Sequence, residues 1–78
     1  MKAKHESERE VLGDFLRTNR EEQRISIYKV RKITDLRPET IKAIESGSQS
    51  YNIDSLLTYI NATNLCLFFS RKDEEPTE

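Results

Sequence analysis

The chain has 78 residues, one cysteine and a formal net charge of −1, which is enough for one small domain. A single cysteine excludes an intrachain disulfide and a cysteine-based zinc site, and it is typical of the cytoplasm, where we expect the protein. The longest apolar run has five residues and no signal peptide is evident, so we expect no membrane partner.

The N-terminal part predicts one amphipathic helix. Residues 1–6 are charged and are predicted to be disordered. A Ser-x-x-Glu capping box begins at Ser7 and predicts a first helix over residues 8 to 22 or 23. Its apolar stripe consists of Val11, Leu12, Phe15 and Leu16. Gly13 either permits close packing with another helix or is a tolerated surface glycine.

Residues 26–47 predict two short helices joined by a tight turn. Ser26 is a favourable N-cap, and Ile27, Val30 and Ile33 recur at helical spacing after it. Asp35 tolerates the left-handed conformation that a turn requires. This arrangement is a helix-turn-helix unit.

The second helix of this unit is predicted from Pro38 to Ser46. Proline suits a first helical turn, where its missing N–H costs nothing. Ile41 and Ile44 form the inner face, and Gly47 ends the helix in a left-handed cap.

The C-terminal part predicts a fourth helix, a strand and a tail. Asn52 caps a helix with an apolar face of Ile53, Leu56, Leu57 and Ile60, and Asn64 ends it. Tyr51 and Tyr59 are expected to pack with their hydroxyl groups at the surface. Residues 65–69 are apolar on both faces and predict a β-strand, in which Cys66 is an inert core thiol. Residues 71–78 predict a disordered acidic tail.

The pattern Ser26, Val30, Leu36, Ile41, Ile44 and the closing Glu45-Ser46-Gly47 resembles the lambda-repressor/Cro-like (XRE-type) helix-turn-helix family. The resemblance implies a mainly α fold, a compact four-helix domain over residues 7–70 that here ends in the short strand. The sequence also departs from the family pattern at three positions. Asp35 stands where the family usually has glycine, Arg37 where it has a Ser or Thr cap, and Ile27 where it often has a glutamine that helps to hold a phosphate.

The resemblance implies double-stranded DNA as a partner. The base-reading positions are Arg37, Pro38, Glu39, Thr40 and Ala43. The DNA-backbone positions are Lys29, Lys32, Lys42, Ser46, Ser48, Gln49 and Ser50. Charge is consistent with this surface, because residues 24–50 carry six basic and three acidic side chains although the whole chain is slightly acidic. By the same resemblance, Arg20 pairs with Glu45 and holds the first helix against the third, a structural role that we prefer to a phosphate contact.

The predicted strand also predicts a homodimer. A lone strand leaves backbone groups unpaired, and its simplest partner is the same strand of another chain. The strand residues are Leu65, Cys66, Leu67, Phe68 and Phe69. Antiparallel pairing about a twofold axis would set two recognition helices about 34 Å apart, on a palindrome.

We therefore interpret the chain as a sequence-specific transcriptional regulator, a repressor that binds its operator as a homodimer. Two alternatives stay open: an antitoxin that binds both its operator and a toxin protein, and a helix-turn-helix fold used only for protein contacts. No catalytic, metal-ligating or phosphate-cradling pattern occurs, so we expect neither enzymatic activity nor a cofactor.

Overall fold

A computed structural model describes residues 5–47 and 51–72 of the chain. It contains four helices, α1 (Glu6–Glu22), α2 (Ile27–Thr34), α3 (Pro38–Ser46) and α4 (Ile53–Ala62). None of these helices is long and apolar enough to cross a membrane. Most of the ends predicted to be disordered, residues 1–6 and 71–78, lie outside the described residues, and that prediction stays untested.

Local side-chain and backbone interactions set most helix ends. The Ser26 hydroxyl accepts a hydrogen bond from the Lys29 backbone N–H at 3.0 Å, and the Asn52 side chain accepts one from the Ser55 N–H at 2.7 Å. Asp35 (φ 65°) and Gly47 (φ 68°) adopt the left-handed conformation after α2 and α3. These predicted caps are confirmed.

The start of α1 differs from the prediction. The helix begins at Glu6, and His5 occupies the N-cap position without a side-chain capping bond. Ser7 therefore lies inside the helix, and the predicted capping box at this residue is wrong. The His5 carbonyl accepts the Arg9 N–H at 3.0 Å, and Glu6 and Glu8 place negative charge in the first turn, where the helix dipole favours it.

The core lies where α1, α2, α3 and α4 meet, and it is small. Its buried residues are Leu16, Val30, Ile41, Ile44, Tyr59 and Ile60. The predicted inner face of α3 is confirmed. However, Val11, Phe15, Ile33 and Ile53 are exposed although helical periodicity placed them on apolar faces, because each helix buries only the narrow stripe that a neighbour covers.

Gly13 permits α1 to pack closely on α3. A Cβ atom at this position would lie 2.5 Å from the Glu45 carbonyl oxygen and 2.7 Å from the Ile44 carbonyl oxygen. The structure thus decides between the two interpretations of this glycine in favour of close helix packing.

The predicted C-terminal β-strand is wrong, and the fold class must be corrected accordingly. The described residues contain no strand, and residues 65–70 have no regular secondary structure. The Leu65 N–H bonds to the Ile60 carbonyl at 3.1 Å, so this residue completes the end of α4 instead of starting a ladder. Leu65 packs against the core, but Cys66, predicted as a core thiol, is exposed. A strand requires a paired neighbour, and the described part of the chain offers none.

Candidate nucleic-acid interface

A buried ion pair fixes the orientation of α3. The Arg20 Nε and Nη2 atoms donate to the two carboxylate oxygens of Glu45 at 2.5 and 3.0 Å, and Nη1 donates to the Ile25 carbonyl at 2.8 Å. The hydrogen bond to Glu45 is the main cause that raises the pKa of Arg20 above its ordinary value. The predicted structural pair is present, and it joins α1, α3 and the loop before α2.

The Tyr59 hydroxyl, from α4, is a third member of this cluster. It donates to Glu45 Oε2 at 2.5 Å and lies 3.3 Å from the Leu16 carbonyl. Burial, and then the hydrogen bond to Glu45, raise the pKa of Tyr59 above the ordinary tyrosine value. Glu45 near the end of α3 is therefore held from α1 and α4 simultaneously.

Sequence reasoning missed this role of Tyr59. The prediction that its hydroxyl lies at the surface is wrong, since the residue is completely buried. Its spacing of three residues from Leu56 was the available signal, because Leu56 packs against the core. No sequence pattern indicated a polar partner for the hydroxyl.

With its inner face anchored, α3 presents its N-terminal end to solvent. Arg37, Pro38 and Glu39 are exposed and Thr40 is partly exposed, so four of the five predicted base-reading residues are accessible at this end of α3. Ala43 is only 8% exposed and offers little contact area there. Arg37 occupies the N-cap position without a side-chain capping bond, so its guanidinium is not used to close the helix.

A cavity of about 340 Å³ lies beside this surface, at the turn between α2 and α3. Its described lining residues are Arg31, Lys32, Asp35, Leu36, Arg37 and Pro38. Three of these side chains are basic and one is acidic, so the cavity favours an anionic occupant. Arg31 was not among the predicted contact residues, but it is exposed and contributes to this lining.

The predicted DNA-backbone residues that the structure describes lie on α2 and α3. Lys29, Lys32, Lys42 and Ser46 are exposed. The Lys32 ammonium lies 5.6 Å from the centre of the Tyr28 ring, a cation–π contact. The remaining predicted residues, Ser48, Gln49 and Ser50, lie outside the described residues.

A second, smaller cavity of about 260 Å³ is lined by Arg17, Lys42, Glu45 and Ser46. It places a basic residue of α1 beside the rim of α3, although Arg17 also pairs with Asp14 and Glu21. Sequence reasoning missed Arg17, because the resemblance indicated only Arg20 among the charged residues of α1 as facing α3.

Comparison with known families agrees with this geometry. A family model described as a helix-turn-helix domain matches residues 15–52, a range that includes all of α2 and α3 and the turn between them. Residues 15–52 are therefore similar to a helix-turn-helix domain. No curated protein and no solved structure matched the chain. In the pair formed by α2 and α3, α3 is the second helix, and the contacts of Arg20 and Tyr59 with Glu45 hold it against α1 and α4.

Proposed function

We propose that this helix-turn-helix protein is a sequence-specific DNA-binding transcriptional regulator of the lambda-repressor/Cro-like type, and that it acts as a repressor. The observation that carries the proposal is the exposed N-terminal end of α3, flanked by a basic cavity and held from behind by a buried ion pair. In helix-turn-helix proteins the second helix enters the major groove with its N-terminal residues at the base edges.

Base reading is assigned to Arg37 and Glu39. Arg37 lies at the start of α3, where a guanidinium donates twice to the O6 and N7 atoms of guanine. Glu39 is exposed two residues later and accepts from the N4 amino group of cytosine. Thr40, which is partly exposed, supplies a hydroxyl or methyl contact.

The phosphate contacts are assigned to the basic residues around α3. Lys29 and Lys32 extend from α2, and Lys42 extends from the outer side of α3. Such contacts hold the register of the protein on the duplex but read no sequence. Arg31, on the rim of the basic cavity, joins this set.

We further propose that the protein binds a palindromic operator as a homodimer. One domain of this size supplies few contacts, whereas two copies related by a twofold axis read two half-sites about one DNA turn, or roughly 34 Å, apart. The proposal includes no catalytic activity and no cofactor.

The main alternative is that the fold serves only protein contacts. Ile27 favours it, because this residue packs partly buried against the core where the family often has a phosphate-holding glutamine. No observation on the described residues favours a toxin partner specifically.

Selection of bound sequences from random duplex DNA tests the proposal directly. We expect an enriched palindrome, and an affinity for it that falls steeply as salt concentration rises. Lys29→Ala and Lys42→Ala should each reduce the slope of log affinity against log salt by about one. The matched control is Lys72→Ala, an exposed lysine outside the helix-turn-helix, which should leave the slope unchanged.

Absence of any enriched sequence would overturn sequence-specific binding. If DNA binding itself were undetectable at low salt, the protein-contact alternative would replace the proposal.

A further inference from the structure

Among the described residues, exposed apolar side chains form a surface on α1 and another at the C-terminal end. The first, the α1 apolar face, consists of Val11, Leu12 and Phe15, and a shallow cavity of about 620 Å³ opens over it. The second, the C-terminal segment, consists of residues 67–69, directly after the point where Leu65 packs against the core. Neither surface belongs to α2 or α3, so the proposed DNA contacts do not use them.

The aromatic residues are distributed unusually between these surfaces and the core. All three phenylalanines of the chain lie in the two surfaces, Phe15 being 59%, Phe68 84% and Phe69 81% exposed. The fully buried core contains one aromatic side chain, Tyr59. Monomeric proteins rarely leave their largest apolar side chains concentrated in exposed patches, and such patches mark association sites.

We propose that these two surfaces bind each other between two copies of the chain. The C-terminal segment of one copy packs on the α1 apolar face of the other, and the twofold axis repeats the contact in reverse. Phe68 and Phe69 supply the inserted side chains, and Val11 and Phe15, one helical turn apart on α1, form the surface that receives them. The contact is made by side chains and requires no β-pairing.

The available area is close to what a specific dimer needs. Two aromatic side chains bury about 300–500 Å². With the exposed parts of Val11 and Phe15 as the receiving surface, and with both reciprocal contacts, the interface reaches roughly 1,000–1,400 Å² in total, at the lower end of the range of specific protein complexes. A second copy of the chain can therefore cover both surfaces. The side chains that it supplies are apolar and aromatic, like those that they cover.

The inference deepens the proposed function, since it supplies the dimer that the palindrome requires, but it is tested without DNA. Light scattering coupled to gel filtration on the full chain, over a range of concentrations, measures the dissociation constant. The face variant is Val11→Ser with Phe15→Ser, and the segment variant is Phe68→Ser with Phe69→Ser. These four side chains are largely exposed in the single chain, so the fold should tolerate both double substitutions.

We expect a dimer for the unmodified chain, and a dissociation constant raised at least about tenfold in either variant. The control is Ile33→Ser with Ile53→Ser, which removes comparably exposed apolar side chains from α2 and α4 and should leave the dissociation constant unchanged. Circular dichroism of each variant verifies that its helices are intact.

Mixing the face and segment variants gives the sharpest result. In the mixed dimer, the intact segment of the first chain meets the intact face of the second, so one of the two contacts survives, whereas neither variant alone retains any. Mixing should therefore restore part of the association.

A monomeric unmodified chain at tens of micromolar, a variant that dimerises normally, or a mixture no better than its components would each overturn the inference. A dimer that selects no DNA sequence would overturn only the proposed function, so the two failures are distinguishable.

Discussion

The Arg20 guanidinium binds both carboxylate oxygens of Glu45, with Nε 2.5 Å from Oε2 and Nη2 3.0 Å from Oε1. Both side chains are almost completely buried. This bidentate pair links α1 to the C-terminal end of α3. Loss of the pair would therefore also affect the position of α3, which carries the candidate base-reading residues.

Arg20→Ala should lower the free energy of unfolding by about 3–5 kcal/mol, because it leaves the Glu45 carboxylate buried without its cation. Urea denaturation followed by circular dichroism measures the change. The control is Arg17→Ala, which breaks the solvent-exposed pairs of Arg17 with Asp14 and Glu21 and should cost about 1 kcal/mol or less. Equal losses in both variants would contradict the special role of the buried pair.

Gly13→Ala should destabilise the fold by about 1–3 kcal/mol, since the new methyl group would collide with the Glu45 and Ile44 carbonyl oxygens. The sign of the change in unfolding free energy distinguishes the two cases, because the same substitution on an open helix face is stabilising by up to about 1 kcal/mol. Thr18→Ala, on an exposed position of α1, is the control and should leave stability unchanged or slightly increased. Thermal or urea unfolding measures the change in stability. A Gly13→Ala protein that is more stable than the unmodified one would show that α1 does not approach α3 so closely.

Tyr59→Phe should cost about 1.5–3 kcal/mol, the value of a hydrogen bond to a charged group. It should also alter the dependence of stability on pH. In the unfolded chain a tyrosine ionises near pH 10, but the pKa of folded Tyr59 is raised, so above about pH 10 the unfolded state loses a proton that the folded state keeps.

The contribution of this group is therefore fully present below the unfolded pKa and is lost as pH rises through the folded one. Urea unfolding between pH 8 and pH 11 (values on either side of the ordinary tyrosine pKa of about 10) should show a smaller alkaline loss of stability in Tyr59→Phe than in the unmodified protein. Tyr28→Phe, at an exposed position on α2, should retain the full alkaline loss. An unchanged pH profile in Tyr59→Phe would exclude the buried hydroxyl as its source.

Arg37→Ala should weaken binding to the selected DNA sequence by about 1–3 kcal/mol and relax the preference at one base pair. Affinities for a panel of single-base variants of that sequence measure both effects. Arg31→Ala, on the rim of the same cavity, is the comparison and should weaken binding to all sequences alike, as expected for a phosphate contact. Uniform weakening by Arg37→Ala would remove this residue from the base-reading set.

Local sequence predicted the helix-turn-helix closely. The caps at Ser26 and Asn52 and the left-handed residues Asp35 and Gly47 all appear in the structure. Each depends on atoms within about four residues, and so the pattern contains the whole interaction. The exposure of the residues at the start of α3 was predictable for the same reason, because it follows from where that helix begins. The burial of Ala43 did not follow from the local sequence, because it depends on how closely α3 packs against the neighbouring helices.

What the sequence determined by itself is therefore the short-range part of this protein: four helices, three of their starts, and the turn between α2 and α3. Only the tertiary structure decided the role of Gly13, the buried hydroxyl of Tyr59 and the absence of a strand at residues 65–69 among the described residues. Each of these depends on a partner distant in the chain: the Glu45 carbonyl, the Glu45 carboxylate, and a neighbouring strand. Periodicity shows which face of a helix is apolar, but the packing of the helices decides which of those apolar residues are covered and by which partner.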